Sequence, residues 1–152
     1  MKIFEVFKPL RLSPRVSVGL LILRVVAGLA FIFHGYGKIT KPFGWMPPEA
    51  GVPSILQGLT AASEFGGGLA WILGLLTPLA SFGLACTMAV AVWMHAVVRG
   101  DPFVPSGPGG SYELASIYLG IAILLLLSGP GRFSMDRAVF GKKTADRETL
   151  RF

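Results

Sequence analysis

Four ionisable side chains stand in stretches that are otherwise almost wholly apolar: Arg24 and His34 in one long run, Glu64 in the next, His95 in a third. Inside a membrane such groups are costly unless paired or hydrated, so each is a functional candidate by default. Histidine titrates near neutrality and suits proton exchange with a bound substrate, and a neighbouring carboxylate can tune or relay the proton. His34, His95, Glu64 and Arg24 are therefore the catalytic candidates. Lys38, Trp45, Tyr112 and Glu113 lie at the ends of the apolar runs or between them and are the candidate ligand-binding residues.

Depth draws most of this set together. With a rise of about 1.5 Å per residue, His34 lies about 6 Å below Lys38 and His95 a similar distance below Arg99. Glu64, counted from Ser54, lies about 15 Å down, and Arg24 about 21 Å below Lys38. At helical spacing Arg24, Gly28, Phe31, Gly35 and Lys38 share one stripe, and Glu64, Gly68, Trp71 and Leu75 another. If both stripes face inward, Arg24 and Glu64 come just within reach of each other. The alternatives are structural: an ion pair that only fixes register, or an Arg24 side chain that snorkels to the cytoplasmic headgroups. Glu113 equally suits a helix N-terminus, where acids are favoured. Lys38 and Arg99 suit interfacial anchors, and each histidine alone suits hydrogen-bonded packing.

The elements that must position these groups are legible from composition. The chain has 152 residues, 53% hydrophobic and only 14% charged, where a soluble domain carries about 25% charge. Four runs approach the ~20 residues that a bilayer core requires, at about 16–38, 55–76, 78–99 and 112–129. They are too long for barrel strands and show no period-two alternation. The sequence thus predicts an all-α integral membrane protein, a four-transmembrane-helix up-down bundle. Ser54 and Gln57 read as an S-x-x-Q capping box after Pro53, and Thr77-Pro78 as an N-cap followed by proline.

The net charge of +6 does not point to nucleic acid, because the basic residues crowd the two ends. Lys2, Lys8, Arg11 and Arg15 precede the first span, and Arg132, Arg137, Lys142, Lys143, Arg147 and Arg151 follow the last. Only Lys38, Lys41 and Arg99 lie on the other face, so both termini are expected in the cytoplasm. Residues 1–15 read as a basic amphipathic interfacial segment, 16–131 as the transmembrane domain and 132–152 as a basic tail. Arg24 interrupts the first span, which is also too long for a cleavable signal peptide.

Gly66, Ala70 and Gly74, with Gly83, Thr87 and Ala91, have the spacing of helix-packing seams. The outer connections, Ile39 to Pro53 and Gly100 to Gly110, are rich in Pro and Gly and carry Phe43, Trp45 and Phe103. These aromatics fit either an interfacial belt or a lid over the polar cluster. Cys86 is the only cysteine, which excludes an internal disulfide and a C-x-x-C relay. Histidines on the first and third spans, with Glu64 or Glu113, raise the question of haem or another metal; neither is expected.

Several motifs resemble the DoxX family of small bacterial membrane proteins. They are Phe33-His34-Gly35 with Lys38, Glu64-Phe65-Gly66-Gly67-Gly68-Leu69, Leu73 through Leu79, Tyr112-Glu113-Leu114-Ala115, and Ser128 through Asp136. The resemblance implies a four-helix, multi-pass protein of the bacterial inner membrane. It also implies links to quinone-dependent oxidoreductases, thiosulfate:quinone oxidoreductase among them, or to redox homeostasis and maturation of partner proteins. The leading expectation is a membrane subunit of a quinone-linked electron-transfer system, with quinone as cofactor and a polar site in the outer half of the bundle. The other is a non-catalytic assembly factor or chaperone for a membrane or exported partner. Expected partners are membrane lipids, a protein subunit and a second copy of the chain, with no nucleic acid.

Overall fold

The computed structural model describes residues 12–105 and 107–140, and every element within them is helical. The expected interfacial segment up to residue 11 and the tail from residue 141 onward lie outside the described residues. Helix α1 spans Pro14–Ile39, α2 Ser54–Leu73, α3 Thr77–Trp93, α4 Glu113–Ser128 and α5 Met135–Phe140. A single 3-10 turn, Pro48–Ala50, sits between α1 and α2, and α3 runs on into a π-helical turn, Met94–Val98. By length and composition, Pro14–Ile39 and Thr77–Val98 are long and apolar enough to cross a membrane. Helix α4 is apolar but shorter, at 16 residues.

The starts and stops follow from local chemistry. Ser13 caps α1, its hydroxyl accepting from the Val16 N–H, and Pro14 occupies the first turn, where its missing N–H is harmless. The expected S-x-x-Q box at α2 does not form. Ser54 is already helical, the Pro53 carbonyl accepts from Leu56 and Gln57, and the Gln57 side chain turns to the loop between α1 and α2. Helix α2 ends short of the expected residue 76 because Gly74 turns left-handed at φ 63°. The Leu75 N–H then bonds back to the Ala70 carbonyl, closing the helix end.

Helix α3 has a different cap from the one its sequence suggests. Leu76, not Thr77, holds the N-cap position, and its φ of 49° is a strained value for a branched side chain. The cap comes from far along the chain: Asp136 accepts from the Leu76 N–H at 2.6 Å and the Thr77 N–H at 2.9 Å. Its own N–H donates to the Gly74 carbonyl at 2.8 Å.

Glycines set the helix spacing. Gly28 of α1 lies against the Gly68 carbonyl of α2, and Gly35 lies against the backbone of Phe65. Gly67 of α2 accommodates Leu84 of α3, and the Trp71 indole donates to Ser81 at 3.0 Å. These pairings run α1 against α2, and α2 against α3, in opposite directions. Gly66, expected in a seam, instead faces open surroundings. The core gathers Leu20, Ala27, Phe31, Trp71, Leu84, Met88, Ala122 and Leu125.

Polarity is inverted relative to a water-soluble fold. Arg24 is 0% exposed and Glu64 3%, while Val26 is 64% exposed and Phe33 76%. Water would penalise that distribution, whereas lipid rewards it. A methyl group added at Gly28 or Gly68 would meet the opposing carbonyl at 2.7 or 2.6 Å, while one at Gly66 meets nothing within 4 Å. Gly28→Ala and Gly68→Ala should each destabilise the protein by about 1–3 kcal/mol, and Gly66→Ala should not. Thermal unfolding in detergent separates them; equal midpoints for all three would contradict this packing.

Candidate functional site

The polar candidates divide between the two ends of the molecule. Arg24 belongs to the end that carries the α2–α3 turn, termed inner as a label only; the opposite end, where α1 closes, is termed outer. Its guanidinium donates to the Pro130 carbonyl and, at 2.9 Å, to the Phe133 carbonyl, and it interacts electrostatically with Asp136. It does not pair with Glu64. The depth count failed because it set Ser54 level with the end of α1. The first two turns of α2 in fact run past that level, so Glu64 arrives opposite Lys38 and Gly74 opposite Arg24.

At the outer end the Lys38 ammonium meets both oxygens of Glu64 at 2.6 Å. The Glu64 side chain is only 5% exposed, the Lys38 side chain 25%. Trp45 covers the pair, with the Lys38 nitrogen 4.7 Å from the ring centroid in a cation–π contact. Gln57 holds this cover in place: its backbone carbonyl accepts from the Trp45 indole, its side-chain oxygen from the Met46 N–H, and its amide donates to Val52. The Phe43 ring fills the notch left by Gly58. The Pro-rich outer connection is therefore a fixed lid over an ion pair.

His95 lies in the π-helical turn, an irregularity often found at functional sites. Its Nδ1 lies 2.6 Å from the Asp101 carboxylate, a pairing that fixes which ring nitrogen remains for other partners. Gly110 backs that carboxylate so closely that a side chain there would collide with it. Tyr112 and Glu113 are tied to the same loop through backbone bonds to Pro102 and Phe103, and the Tyr112 and Phe103 rings lie 5.2 Å apart. The Glu113 carboxylate has no hydrogen-bond or ion-pair partner among the described residues.

His34 is exposed on α1, its ring 6.4 Å from that of Tyr118 on α4. Phe31 links this pair to the core, 4.8 Å from Tyr118 and 5.4 Å from Trp71. Among the described residues no three His, Cys, Asp or Glu side chains gather closely enough to hold a metal ion. The outer end thus carries an ion pair under a lid, a histidine–aspartate pair and a histidine–tyrosine pair. Sequence reasoning missed Asp101, Gln57, Tyr118 and Asp136. Asp101 reads in sequence only as part of a span-ending Arg-Gly-Asp-Pro, and Gln57 as a helix cap.

Residues 19–96 match the family model described as DoxX. The inner membrane protein YqjF of Escherichia coli is 33% identical over 125 residues, 80% of this chain and 92% of that protein. A Bacillus subtilis protein named "Putative oxidoreductase CatD" is 31% identical over 133 residues, 86% of this chain and 94% of its own length. An uncharacterized membrane protein of Mycobacterium tuberculosis is 31% identical over 135 residues, covering 81% and 82%. No solved structure matches.

Removing one partner of a buried pair leaves an uncompensated charge, a loss that reaches about 3–5 kcal/mol. Lys38→Gln and Glu64→Gln should each destabilise the protein, and the double variant should recover much of the loss. Arg24→Gln combined with Glu64→Gln should be additive. Unfolding free energies in detergent decide it: coupling in the Arg24 cycle and none in the Lys38 cycle would contradict the site as described.

Proposed function

We propose that this chain, which belongs to the DoxX family, is a membrane component of an oxidoreductase system acting on a quinone at the outer leaflet. In this reading α1 to α4 cross the bacterial inner membrane, with both termini in the cytoplasm. The charge distribution supports that orientation, since basic residues flank the α1 and α5 ends. The name of the Bacillus relative supports the reaction class.

One observation carries the reading: the ion pair of Lys38 and Glu64, covered by Trp45 at the end that also holds His95–Asp101 and His34. Helix ends in a bilayer need anchors, but an anchor has no use for a lid held by three hydrogen bonds. Quinone chemistry moves two protons with two electrons, and the electrons pass through a partner subunit. His95, held by Asp101 through Nδ1, has Nε2 as its proton-exchanging atom. Glu64 and Lys38 fix the local charge, each neutralising the other. Arg24 has no part in the chemistry, being committed to the inner end.

A second reading, a non-catalytic assembly factor for a partner protein, draws on the mutual satisfaction of these same pairs. The two part company on purification from native membrane with its lipids and partners. The oxidoreductase reading expects co-purifying quinone and quinone-dependent turnover that falls by about tenfold or more in His95→Phe. Absence of both, with loss of a partner's abundance on gene deletion, would favour the assembly role.

A further inference from the structure

Most polar groups in the apolar part of this protein have partners within the chain. Lys38 has Glu64, His95 has Asp101, and Arg24 has the carbonyls of Pro130 and Phe133. Ser17 and Thr77 also have hydroxyls without a partner among the described residues, but both are fully buried at the Arg24 end; His34 and Tyr118 lie elsewhere. Neither the imidazole of His34 nor the hydroxyl of Tyr118 makes a hydrogen bond among the described residues. His34 is also exposed, on a helix long and apolar enough to span a bilayer, about one turn, or about 6 Å, below Lys38. An imidazole facing hydrocarbon with nothing to bond is unfavourable, so the position calls for a ligand.

The packing supplies an entrance. The backbones of α1 and α2, α2 and α3, and α3 and α4 approach closely along their lengths, but α1 and α4 do not. At their outer halves those two helices meet through rings: Phe31 against Tyr118 at 4.8 Å, and His34 against Tyr118 at 6.4 Å, nearly perpendicular. The seam is thus closed by side chains that can swing, not by backbone contact, and it faces lipid.

Resting on the reading above, we infer that the α1–α4 seam admits the headgroup of a membrane-dissolved quinone sideways from the bilayer, with His34 and Tyr118 binding its oxygens. The imidazole N–H and the phenol O–H are donors, and a planar ring carrying carbonyl oxygens offers the matching acceptors. Phe31, buried behind Tyr118, backs the phenol ring from the core side of the seam. The apolar tail stays in lipid along the exposed faces of α1 and α4, so the ligand enters without disturbing the Trp45 lid.

The experiment uses the full chain in nanodiscs of phosphatidylethanolamine and phosphatidylglycerol, with a short-tail azido-benzoquinone as photoreactive probe. Cross-links mapped by mass spectrometry should be saturable and fall on peptides containing residues 31–38 and 115–122. His34→Phe and Tyr118→Phe keep the rings and should each weaken labelling by about tenfold, the order expected for one lost hydrogen bond. On the unaltered chain, modification of His34 by diethyl pyrocarbonate should be blocked by an unlabelled short-tail quinone, a result that needs no variant to fold. Labelling indifferent to both substitutions, concentrated on the Trp45 loop, or spread as evenly as a lipid probe would overturn the inference. Turnover with quinone but labelling independent of His34 and Tyr118 would remove this site and leave the oxidoreductase reading. Saturable, His34-dependent labelling, with no quinone-dependent turnover in protein purified together with its native partners, would do the reverse.

Discussion

A guanidinium in the interior of an apolar helix cannot be left to solvent, and Arg24 makes the rest of the chain answer that need. Its donors take the carbonyls of Pro130 and Phe133, the stretch where the chain leaves α4. Gly74, at the end of α2, lies so close to the guanidinium that a Cβ there would sit 2.8 Å from Nη1. Asp136 balances the charge and, through the N–H groups of Leu76 and Thr77, starts α3. All four long helices therefore meet at this knot, α1 through its interior and α2, α3 and α4 at their ends. The strained Leu76 and the tight three-residue turn into α3 are held by it, and neither is explicable from its own neighbourhood.

With the inner end locked, the geometry of the outer end follows. The Gly28–Gly68 and Gly35–Phe65 approaches bring α1 and α2 together in one register, and that register sets Lys38 opposite Glu64. The longer reach of α2 past α1 gives the outer loop something to fold over, which is why Trp45 and Phe43 find Gln57 and Gly58. Helix α3 ends in a π turn, letting the chain double back so that Asp101 meets His95. One end is therefore tied together by the polar groups of Arg24 and Asp136, with Ser17 Oγ, Thr77 Oγ1 and Arg24 Nε buried there without hydrogen-bond partners among the described residues. The other carries lidded and open ones, and that asymmetry separates structure from chemistry.

The helical class was legible because long apolar runs broken by Gly and Pro have few other outcomes. Gly129 does stop α4, and Thr77-Pro78 does open α3. The identities of the polar residues were legible too, since charge is conspicuous against so apolar a background. Their partnerships were not. Placing Glu64 by counting from Ser54 presumes a common starting level, and the true level depends on loop closure, which has no periodic signature. Asp136 caps a helix that begins 59 residues earlier, a contact no local capping rule contains. Gly66 and Gly68 look alike in a small-residue pattern, and only the helix rotation decides which one meets α1.

An outer-leaflet ligand and its released protons require the lidded end to face away from the cytoplasm. Single cysteines placed in a Cys86→Ser background, at Gly107 in the outer loop and at Arg132 beyond α4, report this directly in intact cells. Both positions are exposed, so reagent access rather than burial governs the reaction. A membrane-impermeant maleimide should label Gly107→Cys at once and Arg132→Cys only after the membrane is permeabilised. Labelling of Arg132→Cys in intact cells, with Gly107→Cys protected, would place the Lys38–Glu64 end in the cytoplasm and contradict the account.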